Sequence, residues 1–272
     1  MEYSIFAGSI ADMTYTQVMD QAAAGAVALL PVGVIEQHGP HLPLGTDIYG
    51  AYQLCRLVQR RLRDSGVAAL LAPPFYWGVN HVTSAFPGSF VTRRETAEML
   101  LDDMLDGLAQ AGFRSVFAIN HHGDLEHNRM LADVFGRRPP GRPDVRFLDD
   151  GTMCRRLGQD PSARPWLVHD IPPEWEKLPP SPVLGVHAHD VETSLVVRYF
   201  PELVDHAALA GLPPTDLTPD DLAEWRRGGE HARRVTPDGY FGDPRPADPD
   251  LWRRYDVQAR EMARAVQGAS TP

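Results

Sequence analysis

The stretch Ala26-Val27-Ala28-Leu29-Leu30-Pro31-Val32-Gly33-Val34-Ile35-Glu36-Gln37-His38-Gly39-Pro40-His41-Leu42-Pro43-Leu44-Gly45-Thr46-Asp47 decides the reading of the chain. Ala26 to Ile35 is a continuous apolar run rich in Val, Leu and Ile, which suits a strand buried on both faces. The run then gives way at once to acid, amide and imidazole groups. Glu36 and His38 are two apart, so in an extended segment they point the same way. Carboxylate oxygen and imidazole nitrogen together suit zinc, manganese or iron. Asp47 follows in N-cap position before a helical pattern over Ile48–Arg63, with Tyr52, Leu54, Leu57, Val58 and Leu62 as its apolar members.

Working outward, further elements alternate. Met13–Ala24 reads as a short helix and Val67–Leu71 as a buried strand stopped by Pro73-Pro74. Thr92–Ala111 is a long amphipathic helix with Gly112 where a C-cap belongs. Ser115–Ile119 is a third buried strand, Leu125–Phe135 a helix and Val145–Leu148 a fourth strand. Val191–Phe200 fits helix or strand, and Leu251–Val266 is the last helix. Strands alternating with helices predict β-α-β units, an α/β fold with a mostly parallel sheet. Pro-rich stretches at Arg138–Pro143, 161–182, 211–220 and 236–249 read as long loops of one domain spanning residues 1–272.

Histidine is the uneven residue. Of eleven, His38, His41, His121, His122 and His127 fall in two short segments, and His187 and His189 form a third cluster. Asn120-His121-His122-Gly123-Asp124 leaves the third strand as Glu36–Asp47 leaves the first. Ligands of open parallel sheets bind outside the carboxyl ends of the strands, so both segments belong at that edge. The third cluster, His187-Ala188-His189-Asp190-Val191-Glu192-Thr193-Ser194, brings His187 and Glu192 to a common point if a turn lies between them; alternatively Asp190 caps a helix. His81 reads as a residue at the pocket rim that touches substrate. Glu126 and Arg129 suggest a solvated helix face around His127, and His169, His206 and His231 read as surface or core-edge residues.

Composition removes several function classes. The 272 residues are 43% hydrophobic and 23% charged, ordinary globular values. Lys plus Arg is 26 against 36 Asp plus Glu, a formal charge of −10 that disfavours nucleic acid and anionic lipid as partners. Cys55 and Cys154 are too few for a disulfide framework. No signal-peptide pattern opens the chain, and its longest apolar run, Ala22 to Ile35, contains Pro31 and is too short for a membrane helix. A cytoplasmic protein acting on a small molecule is expected.

The ordered motifs Gly33-Val34-Ile35-Glu36-Gln37-His38-Gly39-Pro40-His41-Leu42-Pro43 with Thr46-Asp47, then Phe86-Pro87-Gly88-Ser89, Asn120-His121-His122-Gly123 and His187 to Ser194, resemble those of the creatininase family of metal-dependent amidohydrolases. The resemblance implies a three-layer α/β/α sandwich, assembly as a homohexamer, and two divalent metal ions per chain, zinc, manganese or iron. It places Glu36 and His122 on one ion, His38 on the other and Asp47 between them. The last ligand is Asp124 or Glu192, of which Glu192 is favoured because aspartate is shorter than the glutamate it would replace. His187, with Glu192, would serve catalysis as oxyanion donor or as proton donor to the leaving nitrogen. His121, His189 and Asp190 add polar bulk where the family has smaller or different residues, and with His81 they are taken as substrate contacts. Val183 stands where creatininase has a tryptophan, and Trp166 and Trp175 are out of register with it. The expected reaction is therefore hydrolysis of a C–N bond in a small cyclic amide, formamide or related compound other than creatinine. A peptidase of the same fold and a catalytically silent binding member are the alternatives.

Overall fold

The computed structural model describes residues 4–139, 142–246 and 248–270. Pro140, Gly141 and Ala247, within two of the Pro-rich stretches, lie outside the described residues. Five strands, β1 (Val27–Val32), β2 (Ala69–Leu71), β3 (Ser115–Asn120), β4 (Asp144–Asp149) and β5 (Trp166–Val168), form one parallel sheet in the order β2-β1-β3-β4-β5. Strand β1 begins one residue later and ends three earlier than the apolar run suggested, because Gly33 is where the chain leaves the ladder.

Alternate residues of the central strands feed two cores. Val27 and Leu29 of β1 and Phe117 and Ile119 of β3 face helices α2 (Thr46–Asp64), α6 (Asp190–Tyr199) and α10 (Arg253–Ser270). Ala28, Leu30 and Val32, with Val116 and Ala118, face α1 (Tyr15–Ala23), α3 (Arg94–Gln110) and α4 (Leu125–Gly136). The result is a three-layer α/β/α sandwich. Leu29, Leu30 and Val32 are wholly buried, and each such side chain contributes about 1.5–3 kcal/mol through burial.

Val191–Phe200, open between helix and strand by pattern, is the helix α6. The Pro-rich stretches carry more structure than loops. Trp166 opens β5 and stacks on Phe147 at 4.9 Å, and Arg254 lies 4.4 Å over the Trp175 ring. After β4 comes a short helix α5 (Thr152–Arg156), and after α6 come α7 (His206–Gly211), α8 (Pro219–Trp225) and α9 (Glu230–Val235). Proline starts α8 rather than breaking it, since its missing N–H is one that the first helical turn leaves unused. A third small cluster of Val82, Phe86, Trp225, Ala232 and Phe241 packs these later segments over the carboxyl edge of the sheet.

The strand order has one topological consequence. From β1 the chain moves outward to β2 and then returns to β3 on the other side of β1. The crossovers from these two strands therefore leave in opposite directions and open a crevice between their carboxyl ends, the place where doubly wound sheets bind ligands.

Candidate metal centre and active-site cavity

Both predicted segments meet in that crevice. Glu36, His38, Asp47 and His122 are 2%, 0%, 1% and 5% exposed, a burial that demands partners for every charge. Asp47 is not the cap of α2. The helix starts at Thr46 with Gly45 before it, so the Asp47 carboxylate stays free of capping and turns into the site. Gly33 makes that approach possible, because a Cβ there would lie 2.9 Å from the Asp47 Cβ.

The ligand-type atoms converge in three overlapping groups: Glu36, Asp47 and His122; His38, Asp47 and Glu192; and Glu36, His38 and His187. Within each group they lie no more than 4.8 Å apart. His122 Nδ1 is 3.0 Å from both Glu36 Oε1 and Asp47 Oδ2, and His38 Nε2 is 3.4 Å from Asp47 Oδ1. His38 Nδ1 donates to the Glu36 carbonyl at 3.1 Å, which turns Nε2 toward the carboxylates.

Three carboxylates thus share one buried region, and among the described residues their charged partners are imidazoles alone. Burial works to lower His38, yet the charges of Asp47, Glu192 and Glu36 lift it to about 9. His122 rises well above its ordinary value against the same burial, through Glu36 and Asp47. Burial works to raise Asp47, but His122 and His38 hold it well below the usual carboxylate range. Glu192 is likewise lowered against burial, first by its bond to His189. His38 Nε2 and His122 Nε2 make no well-directed hydrogen bond although buried. Clustered carboxylates and orphaned imidazole nitrogens are the donor set that divalent cations satisfy.

Supporting residues fix this geometry. The Thr83 hydroxyl donates to Glu36 Oε2, Ser89 Oγ donates to Thr83 at 3.2 Å, and the Gln37 N–H donates to Ser89 at 3.1 Å. The motif Phe86-Pro87-Gly88-Ser89 therefore acts by orienting Glu36. Asn120 and Asn128 each donate to the His122 carbonyl, at 2.7 and 2.8 Å. Sequence reasoning missed Thr83 and Asn128; only the close approach of distant segments reveals them.

Asp124 is placed otherwise. Its Oδ1 accepts from the N–H groups of Glu126 and His127, and its Oδ2 from those of His81 and Val82, at 2.8 to 3.2 Å. These four bonds occupy the four lone-pair sites of a carboxylate. Asp124 caps α4 and ties down the 81–82 loop, and it belongs to none of the convergent groups.

Ala188 has φ of 50°, a left-handed conformation unusual outside glycine. The turn returns the Ala188 N–H to Glu192 Oε2 and brings His187 and Glu192 to one side. His187 Nε2 lies 2.8 Å from the Gln37 backbone carbonyl, which can only accept, and 3.2 Å from the Gln37 side-chain nitrogen; the shorter contact assigns the hydrogen to Nε2. Nδ1 then presents a lone pair 4.0 Å from Glu36 Oε1. Burial, with the nearby His38, lowers His187 and keeps it neutral. This corrects the oxyanion-donor expectation: the N–H is already spent on a carbonyl, and the open nitrogen accepts. The late Pro-rich stretch serves here, because Phe241 pairs with His187 through the backbone.

A cavity of about 540 Å³ opens above these groups, lined among others by Glu36, Asp47, His121, His122, His187, Glu192, Trp225 and His81. His121 stacks on Tyr255 with its Nδ1 3.8 Å from Asp47. Gly50 admits that ring, since a Cβ there would come within 2.8 Å of it. His81 reaches the wall while its ring bonds the Arg227 carbonyl at 2.9 Å. His189 and Asp190 do not line the cavity. His189 backs Glu192 at 3.6 Å, and Asp190, the first residue of α6, accepts from the Ser181 N–H. Trp225 is the tryptophan at the cavity, 5.7 Å from the His187 ring; Trp166 and Trp175 are not. His127 is wholly buried against His122 at 5.1 Å rather than solvated. His169 is buried as well, its N–H donating to the Asp149 carbonyl.

Comparisons with known proteins agree with this fold and give its family. The family model Creatininase, described as creatinine amidohydrolase, matches residues 11–265. A mycofactocin precursor peptide peptidase of Mycobacterium tuberculosis is 35% identical over 83% of this chain and 78% of its own length. One from Mycobacterium ulcerans is 31% identical over 80% and 75%. A creatinine amidohydrolase of Pseudomonas putida is 25% identical over 82% of each chain. The solved structure of a manganese creatininase superposes with a TM-score of 0.67 at 22% identity, covering 97% of this chain and 99% of that one, a likeness of fold.

Proposed function

We propose, from the premise that this chain belongs to the creatininase family, that it uses two divalent metal ions to hydrolyse an amide C–N bond. The observation that carries the reading is the position of Asp47, common to the His122 group and to the His38–Glu192 group. Glu36 and His122 would hold one ion, His38 and Glu192 the other, and Asp47 both. The saturation of Asp124 by backbone supports Glu192 as the last ligand. When bound, two such ions supply a water nucleophile at neutral pH and polarise the amide carbonyl.

The protein's own groups supply the rest. Neutral His187 accepts the proton of the attacking water at Nδ1 and returns it to the departing nitrogen. Its Nε2–H bond to Gln37 holds the ring in register for both transfers. Thr83 keeps Glu36 from rotating, and Trp225 and Val82 help exclude bulk water from the wall.

Among amides, a short peptide is the better-supported substrate. The peptidase relatives are 28–35% identical to this chain, against 25% for the creatinine amidohydrolase. A cavity of 540 Å³ is within the range of sites for drug-sized ligands. This reverses the preference for a small cyclic amide or formamide that the motifs alone suggested. Exposed Trp77, Phe90 and Val91, with Trp77 and Phe90 in ring contact at 5.7 Å, support self-association. The two buried free thiols suit a reducing compartment such as the cytoplasm.

The test is elemental mass spectrometry joined to a substrate panel. About two zinc, manganese or iron ions per chain are expected, with turnover of short peptides lost on chelation and restored by the ions. Full activity in the ion-free protein, or no binding of any of these ions, would overturn the proposal.

A further inference from the structure

The cavity wall carries two arginines, Arg156 and Arg226. Arg156 ends α5 just beyond the carboxyl end of β4, and Arg226 follows the last turn of α8. Neither forms an ion pair among the described residues, while nearby arginines do. Arg227 and Arg234 share Glu224 at 2.8 and 3.1 Å, and Arg129 takes Glu126 at 3.3 Å. Asp124, the buried carboxylate of the same wall, is saturated by four backbone N–H groups.

Acids outnumber bases 36 to 26 in this chain, so counter-charges are plentiful, yet no carboxylate among the described residues comes within ion-pair distance of either arginine. Burial and then the charge of Arg226 lower the Arg156 guanidinium from its ordinary value, and Asp124 offsets this only in part. Two like charges facing one cavity repel each other until an anion enters between them. A guanidinium presents parallel N–H groups in a plane, a fork that matches a planar carboxylate.

We infer that Arg156 and Arg226 bind a carboxylate of the substrate while the amide to be cleaved lies over Glu36, Asp47 and Glu192. The inference rests on the metal-hydrolase reading and adds a specificity element to it: substrates are acids, held by the rim at one end and by the floor at the other. A peptide C-terminus and the carboxylate of a small amide acid present the same group, and substrate length separates them.

The experiment is calorimetric titration of the zinc-loaded protein with dicarboxylic acid monohydroxamates of increasing chain length, each paired with its terminal carboxamide. The hydroxamate reports the metal and the far end reports the arginines. The best-fitting acid is expected to bind at least about tenfold more tightly than its carboxamide twin, or about 1.4 kcal/mol. In the Arg156→Gln, Arg226→Gln double variant that preference should vanish with the carboxamide affinity unchanged. Both residues are exposed overall, so the variant should fold. Equal affinity of acids and carboxamides at every length, or a preference that survives the double substitution, would overturn the inference and leave the metal reading standing. Failure of every hydroxamate to bind would overturn both. An optimum at short chains assigns the carboxylate to a small amide acid, and one at long chains to a peptide C-terminus.

Discussion

At the floor of the cavity, Glu36, His38, Asp47 and His122 stand within a few residues of β1, β3 or the first turn of α2, and are almost wholly buried. At the rim, His81, Arg156 and Arg226 are carried on loops and short helices and stay exposed. Floor atoms are held by a sheet whose register fixes them. Near His81 and Arg226 the rim is packed by a small apolar cluster of Val82, Phe86, Trp225, Ala232 and Phe241, while Arg156 rides on a short helix anchored to the core through Cys154. The difference teaches that reaction chemistry and substrate choice reside in separate parts, so substitutions in each should have separable effects.

The largest effect belongs to the floor. Asp47→Asn keeps the shape of the side chain but removes the charge common to two ligand groups. Turnover by the ion-loaded enzyme should fall more than about 10³-fold, since several kcal/mol of charge stabilisation depend on the ions it helps to hold. Circular dichroism and thermal midpoint should show a folded protein. Residual activity within tenfold of wild type would break the division between floor and rim.

The next effect is set by pH. In the ion-free protein His38 keeps its proton up to about 9, so at pH 7 an incoming ion must displace it. His122, also raised, adds to the same trend. Metal affinity should rise at least about tenfold per unit from pH 7 toward 9 and level off above, because the competing proton has then left. Competition with a chromophoric chelator measures this, and a flat profile would mean that the carboxylates do not control the imidazoles as described.

The smallest expected effect sharpens the boundary, where the rim touches the floor. Thr83→Val preserves shape while removing the hydroxyl that donates to Glu36. Metal affinity should weaken about 10- to 100-fold, the usual cost of losing a partner behind a ligand, with little change in folding.

These residues also show what a sequence can and cannot disclose. The apolar run Ala26–Ile35 and its abrupt polar ending announced a buried strand that leads into the convergent acid and imidazole groups, because burial on both faces leaves no alternation to confuse the pattern. Thr83 gave no such sign: it meets Glu36 across 47 residues, and threonine before a turn is ordinary. Trp225 and Arg226 carried no motif or spacing signal, and Pro219, at the end of a Pro-rich stretch that reads as loop, starts the helix that positions them. His127 could have been found. Met130, Leu131 and Val134 follow it at helical spacing and are all buried, so the imidazole shares their face, while Glu126 and Arg129 occupy another. The Asp47 cap was misplaced by two residues, an error that local signals cannot remove, since Gly45 and Thr46 also suit a helix start.

The outer strands β2 and β5 are each three residues long, against six in β1, β3 and β4. Pro73 and Pro74 follow one, and Pro165 precedes the other. Another extended chain would therefore find almost no continuous row of backbone groups to pair with. Crowded copies of this molecule will meet through side-chain surfaces and not through sheet extension, which sets it apart from parallel-sheet proteins whose long bare edges seed fibrils.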